Sequence, residues 1–312
     1  MRKALLVGID SYPGRPLRGC VNDATEVASL LRSQHDGSPN FDVLLRTNVG
    51  TKSELKALII SLMDGSNEIA LLYFSGHGFI NSIGGYIVTP DYKQYDEGIS
   101  MDEILILTNN SRTKDRIVIL DCCHSGAFGS PTLTGNQSAM IGEGVTILTA
   151  TRDSEAAIEI NGHGLFTSLL IDSLNGGAAD LKGSITPGSV YAYIDRALGS
   201  WEQRPVFKTN VTRFTSLRTA APPIELEKLR RINELFPDAD RDFLLDKSYE
   251  DTEKGYDSAH VALFKILQKY ERVGLVVPVG EEHMYYAAIH NKACRLSALG
   301  KHYWRLVRDH RV

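Results

Sequence analysis

Residues 69–78 read Ile69-Ala70-Leu71-Leu72-Tyr73-Phe74-Ser75-Gly76-His77-Gly78: six apolar or aromatic side chains in a row, then small residues, glycines and one histidine. An unbroken apolar run of strand length, bounded by turn residues, suits a strand covered on both faces, as in a parallel sheet. Residues 116–126 repeat the pattern, with Arg116-Ile117-Val118-Ile119-Leu120 leading into Asp121-Cys122-Cys123-His124-Ser125-Gly126. In an open parallel sheet, reactive groups collect beyond the carboxyl ends of the strands, where the loops share a crevice. If the two strands are neighbours, His77 and one of the adjacent cysteines meet at a common edge.

Further strand-like runs lie at Lys3 to Ile9, Phe41 to Leu45, Val145 to Thr149 and Val206 to Thr209. Between them, Asn22 is placed to cap a helix reaching Gln34, and Thr51 with Glu54 forms a capping box for a helix to Met63. Helices are also predicted over Met101 to Leu107, Leu165 to Leu174 and Ser189 to Leu198. The alternation predicts an α/β fold, a mostly parallel six-stranded sheet with helices on both faces.

The pattern breaks at Thr219-Ala220-Ala221-Pro222-Pro223, which continues neither a helix nor a central strand. The expected division is 1–217 for the α/β domain, 218–257 for a linker and acidic helical connector, and 258–312 for a small α+β domain. Charge changes sign along this part: Ala221 to Asp257 holds 6 basic and 11 acidic residues, Ser258 to Val312 holds 9 and 4. A helix over Ala259 to Arg272, β-like stretches at Leu275 to Val279 and Tyr285 to Ile289, and a last helix capped by Ser297 together resemble a winged-helix domain. Its basic residues Lys265, Lys269, Arg272, Lys292, Arg295, Lys301, Arg305, Arg308 and Arg311 are spread over three elements rather than one recognition helix. A regulatory protein partner is therefore favoured over nucleic acid, with Tyr285, Tyr286, Tyr303 and Trp304 expected in the domain's core.

The 312 residues are 43% apolar and 23% charged, with 34 basic against 38 acidic side chains, an ordinary globular composition that excludes a disordered chain. A net charge of −4 argues against a general nucleic-acid binder. Four cysteines, two of them adjacent, make a poor disulfide framework and suit a reducing compartment. The first residues lack a signal-peptide core and no apolar run approaches membrane-spanning length, so a cytoplasmic protein without membrane contact is expected.

A thiol is a weak nucleophile at neutral pH until an imidazole takes its proton or stabilises the thiolate. Glycines beside His77 allow close substrate approach, and backbone amides at Gly78 and after the strand of residues 116–120 could hold an oxyanion, as acyl transfer requires. Zinc held by Cys122, Cys123 and His124 is the competing reading, but these adjacent residues lack the usual spacing of ligands, and simple packing at the strand ends is another.

The motifs Tyr73-Phe74-Ser75-Gly76-His77-Gly78 and Asp121-Cys122-Cys123-His124-Ser125-Gly126 resemble the histidine and cysteine motifs of caspase-like cysteine peptidases, nearest the metacaspase and bacterial orthocaspase branch. Leu17-Arg18-Gly19-Cys20-Val21-Asn22-Asp23-Ala24, Gly162-His163-Gly164-Leu165-Phe166-Thr167 and Gln203-Arg204-Pro205 support the resemblance over residues 1–210. It implies a caspase-like six-stranded fold and endopeptidase activity, with Cys123 as nucleophile, His77 as general base and acid, and the amides of Gly78 and Cys123 as oxyanion donors. It also implies a pocket of Asp23, Asp121, Cys20 and Ser75 for an arginine, or second a lysine, before the scissile bond. By the same analogy the chain would act in a prokaryotic stress, defence or cell-death pathway. The alternative is a catalytically silent caspase-fold scaffold or a DNA-binding regulator.

Relatives are often cut between the cysteine motif and the next strand, but His124 to Thr151 contains no Arg, Lys or Asp, so activity without that cut is expected. Arg213 and Arg218 flank the domain boundary, where self-cleavage is conceivable but ordinary surface arginines are the preferred reading. The acidic residues Asp91, Asp96, Glu97, Asp102 and Glu103 lie where some metacaspases bind calcium. That makes Asp91, Asp102 and Glu103 calcium candidates, yet they lack EF-hand order, so no cofactor is the expectation.

Overall fold

The computed structural model describes residues 1–81, 84–122, 141–150, 159–160, 163–198 and 205–312. Six strands form its main sheet: β1 (Arg2–Gly8), β2 (Asp42–Thr47), β3 (Ile69–Ser75), β4 (Asp115–Asp121), β5 (Val145–Thr149) and β6 (Val206–Asn210). Their spatial order is β6-β5-β4-β3-β1-β2, and only β6 runs antiparallel to its neighbour. This is the six-stranded, mostly parallel α/β sheet expected from the sequence.

Successive side chains of a strand point to opposite faces, and here both faces are apolar. Ala4, Leu6, Ile69, Leu71, Tyr73, Ile117 and Ile119 enter one core, and Leu5, Val7, Ala70, Leu72, Phe74, Val118 and Leu120 the other. The first core is closed by α1 (Cys20–Arg32), α4 (Leu165–Asp172) and α5 (Pro187–Ala197), the second by α2 (Lys52–Met63) and α3 (Met101–Asn110). Each helix contributes apolar residues at three- and four-residue spacing, as Ala24, Val27, Ala28 and Leu31 do in α1.

The cap of α1 differs from expectation. Gly19 occupies the N-cap and Asn22 lies inside the helix, because the cap comes from across the chain. Asp10, two residues beyond β1, accepts from the Cys20 amide at 2.9 Å and the Val21 amide at 3.3 Å. Close approach fixes Gly8 as well: a Cβ there would sit 2.2 Å from the Cys20 carbonyl oxygen. The Thr51 side chain does accept from the Glu54 amide at the start of α2. The helix beginning at Leu165 ends in a π-helical turn over Ser173–Gly177.

Contacts divide the chain into one compact unit of Met1–Ala179 and Gly183–Ala221 and a second of Asp180–Lys182 and Pro222–Val312. The second unit contains a three-stranded antiparallel sheet, β7 (Phe243–Leu244), β8 (Val276–Val279) and β9 (Ala293–Leu296), in the order β7-β9-β8. A helix, α6 (Ser258–Arg272), is capped by Asp257, and the last helix, α8 (Ala298–Arg308), by Ser297. The stretch expected as a second strand is instead a helix, α7 (Met284–Ile289), and β9 follows it. Met284, Ala287 and Ala288 bury the inner face of α7, so Tyr285 and Tyr286 are exposed rather than in the core. Tyr303 is buried, and the Trp304 indole donates to the Phe236 carbonyl at 2.6 Å. Among the described residues no helix is long and apolar enough to cross a membrane.

Candidate active site

The register of the central strands aligns three chain ends. Gly8 of β1 pairs with Ser75 of β3, and Ser75 with Asp121 of β4. The segments leaving these residues therefore start from one edge, where the topology of a parallel sheet puts a site. His77 is two residues past Ser75, and Cys122, fully buried, is one past Asp121. Cys123 lies outside the described residues, as do Gly162, Gln203 and Arg204.

His77 is fixed from three sides. Its Nε2 lies 2.8 Å from the Arg15 carbonyl oxygen. A carbonyl only accepts, so Nε2 carries the hydrogen and Nδ1 of the neutral ring is left as the acceptor. The Tyr12 hydroxyl accepts from the His77 amide at 3.1 Å and donates to the Val88 carbonyl at 3.1 Å, while the Tyr12 and His77 rings meet at 4.5 Å. Burial holds the Tyr12 phenol well above its ordinary pKa, so it stays a hydroxyl able to play both parts. Gly76 makes room, since a Cβ there would stand 2.5 Å from that oxygen. Tyr12→Phe leaves a backbone amide and a carbonyl without this partner, and should cost about 2 kcal/mol in denaturant unfolding.

Gly78 begins a short strand, Gly78–Ile80, antiparallel to Gly85–Ile87. The bonds from the Val88 amide to the His77 carbonyl and from the Asn81 amide to the Gly84 carbonyl bracket this ladder. By the alternation of antiparallel pairs, Gly78 and Ile87 form a non-hydrogen-bonded pair, and the Gly78 amide points out of the ladder.

The four expected pocket residues also come together. Asp23, in the first turn of α1, is 2% exposed and accepts from the Ser75 hydroxyl at 3.1 Å. Asp121 is 1% exposed and accepts from the Thr167 hydroxyl at 2.6 Å, which is in turn 2.7 Å from the Tyr73 hydroxyl. Cys20, at the N-terminus of α1, has its thiol pushed up to about 12 by burial, against a lowering contact with Ser75. Burial first, and the Asp121 charge next, raise the Asp23 carboxyl to about 6, while His163 and Ser75 pull it down.

His163 was legible only as part of a motif, yet it touches one of these residues directly: Nδ1 lies 2.8 Å from Asp23 Oδ1 and Nε2 3.0 Å from Glu26 Oε2. The available signal was the spacing of Asp23 and Glu26, one turn apart and so on one face of α1. Tyr12 and Arg15 follow β1, a third strand end at the same edge.

The calcium candidates are not gathered. Asp91 accepts from the Lys52 amide at 3.1 Å and the Thr89 hydroxyl at 2.6 Å, Asp102 is exposed in the first turn of α3, and Glu103 pairs with Lys56 at 2.5 Å. Among the described residues there is no group of three or more His, Cys, Asp or Glu side chains placed to hold a metal ion. Arg218 is not a free surface residue: its guanidinium donates to the Leu174 and Ser33 carbonyls at 2.7 and 3.1 Å.

A family model described as the caspase domain matches residues 1–215. Similar curated proteins are fungal. Metacaspase-1B of Aspergillus oryzae is 31% identical over 190 residues, covering 54% of this chain and 45% of that protein. Metacaspase-1B of Aspergillus fumigatus and Metacaspase-1 of Mycosarcoma maydis are each 32% identical over 146 residues, 40% of this chain and 35% and 36% of theirs. The matched chain thus spans less than half the length of these relatives.

Proposed function

The chain belongs to the caspase-domain family of cysteine peptidases, and on that premise we propose that it is an endopeptidase that cleaves proteins after arginine, and second after lysine, with a Cys123–His77 dyad. The supporting observation is one sheet edge holding both an imidazole with its Nδ1 left as acceptor and a buried pair of carboxylates. Two residues of chain span at most about 7 Å, so a nucleophile at Cys123 stays within reach of that edge.

In this reading His77 takes the thiol proton, and the Cys123 sulfur attacks the scissile carbonyl carbon. The amides of Gly78 and Cys123 hold the resulting oxyanion. Collapse breaks the C–N bond as His77 returns the proton to the leaving amine. A water molecule, deprotonated by His77, then opens the thioester, releasing the acid and restoring the thiol. The Arg15 carbonyl steadies the ring as it becomes an imidazolium.

Asp23 and Asp121 receive the cationic side chain, for which a guanidinium's planar fork of donors is better matched than an ammonium. Cys20 keeps its proton and adds no competing charge. A panel of fluorogenic peptides differing only before the scissile bond tests the reading: arginyl exceeds lysyl, and aspartyl stays at background. An aspartyl preference would refute it. The same active sample should run as an intact chain, whereas a cut between Ala127 and Gly144 would show that activation needs processing.

For the second unit a regulatory protein partner is the better proposal than nucleic acid. Lys265, Lys269, Arg295, Lys301 and Arg308 each pair with an acidic side chain of their own unit, which offsets much of the local positive charge.

A further inference from the structure

Resting on the pocket reading above, we propose that His163 is a specificity-determining positioning residue: an imidazolium that supplies the counter-charge by which two buried carboxylates stay ready for one cationic side chain. Both ring nitrogens face carboxylate oxygens, Asp23 at 2.8 Å and Glu26 at 3.0 Å. Ionised carboxylates only accept, and a neutral imidazole donates from one nitrogen only. With both carboxylates ionised, the two contacts are satisfied together by the ring protonated on both nitrogens.

The need for a cation follows from the pocket. Asp23 and Asp121 are both nearly inaccessible, and the Asp121 charge adds to burial in raising the cost of ionising Asp23. Without that compensation Asp23 would be harder to ionise, and a protonated carboxyl presents a donor to a guanidinium that is itself all donors. With the imidazolium against Asp23, the two buried carboxylates and this one cation sum to a single negative charge, which one arginine or lysine side chain offsets, while the charge of the exposed Glu26 is met by solvent. Glu26, 46% exposed in its side chain, holds the outer nitrogen from solvent.

One short segment makes both attachments. His163 contacts Asp23, and Thr167, four residues on in α4, donates to Asp121 at 2.6 Å. The segment gives its charge to one carboxylate and a neutral hydroxyl to the other, so only the Asp23 side depends on protonation. The described titratable groups around His163 are Asp23 and Glu26 of α1 and, across Asp23, Asp121 of β4, Cys20 and Tyr73.

The test measures KM and kcat on an arginyl reporter between pH 5.5 and 8.5 for the full chain and for His163→Gln, His163→Lys and Glu26→Gln. His163→Gln keeps a donor for Asp23 but no charge. It should raise KM about tenfold at neutral pH, leave kcat within about twofold, and move the acid limb of kcat/KM about one pH unit toward alkaline. His163→Lys should recover most of the KM, and Glu26→Gln, at the exposed end, should raise it about threefold. Should His163→Gln fail to fold, Glu26→Gln and His163→Lys still carry the comparison. An unmoved KM and acid limb, or a loss confined to kcat, overturns the role of His163. A parent chain that ignores arginyl reporters while cleaving aspartyl ones overturns the pocket reading itself, whatever the variants do.

Discussion

Replacing His77 by alanine should lower kcat on an arginyl reporter by about 10³-fold or more with KM within about threefold, and Cys123→Ala should do the same. The equality is the informative part. A base and a nucleophile that work as one unit lose their effect together, so His77→Ala combined with Cys123→Ala should be no worse than either alone. Cys122→Ala serves as the contrast. Cys122 sits fully buried in the core that contains Val118 and Leu120, and alanine is nearly its size, so activity should stay within about threefold. Loss in the Cys122 variant alone would move the nucleophile by one residue. Equal activity in all variants would end the peptidase reading.

The sheet was legible because its chemistry is local. Ile69 to Phe74 and Arg116 to Leu120 are apolar on both faces, which admits a buried strand and little else, and they proved to be adjacent parallel strands in register. His77 could be picked out because it follows a buried strand between glycines, whereas Asp23 and Asp121 were singled out only through the motifs that carry the family resemblance. What holds them was not. The Tyr12 hydroxyl and the Arg15 carbonyl reach His77 from a loop more than sixty residues earlier, and a backbone carbonyl leaves no trace in side-chain identity. The cap of α1 was missed for the same reason: Asp10 supplies from a distance what Asn22 was expected to supply locally. The strand expected at Tyr285 to Ile289 failed differently. Its short mix of aromatic and small apolar residues fits either period, and the burial of Met284, Ala287 and Ala288 on one helical face decided the matter.

The pocket carboxylates should show themselves in KM. Asp121→Asn is expected to raise KM for an arginyl reporter by about 10²-fold, with kcat much less affected, because a buried charge-assisted pair with a guanidinium becomes a neutral contact and the new amide adds a donor. The pH dependence fixes which carboxylate titrates. The Asp23 carboxyl is raised to about 6 in the folded chain, so its protonated form favours folding. That contribution is complete below the ordinary aspartate range and is lost as pH rises through about 6, so the thermal midpoint of the free protein should fall across this window. Substrate binding runs the opposite way. An arginine side chain needs the ionised carboxylate, so KM should fall as pH rises through the same window. Asp23→Asn should flatten both profiles, and Asp121→Asn, by removing the neighbouring negative charge, should move the inflection toward acid. A KM that is flat from pH 5 to 7.5 in the parent chain, or an inflection that survives in Asp23→Asn, would place the titration on another group and leave Asp23 without its part in substrate capture.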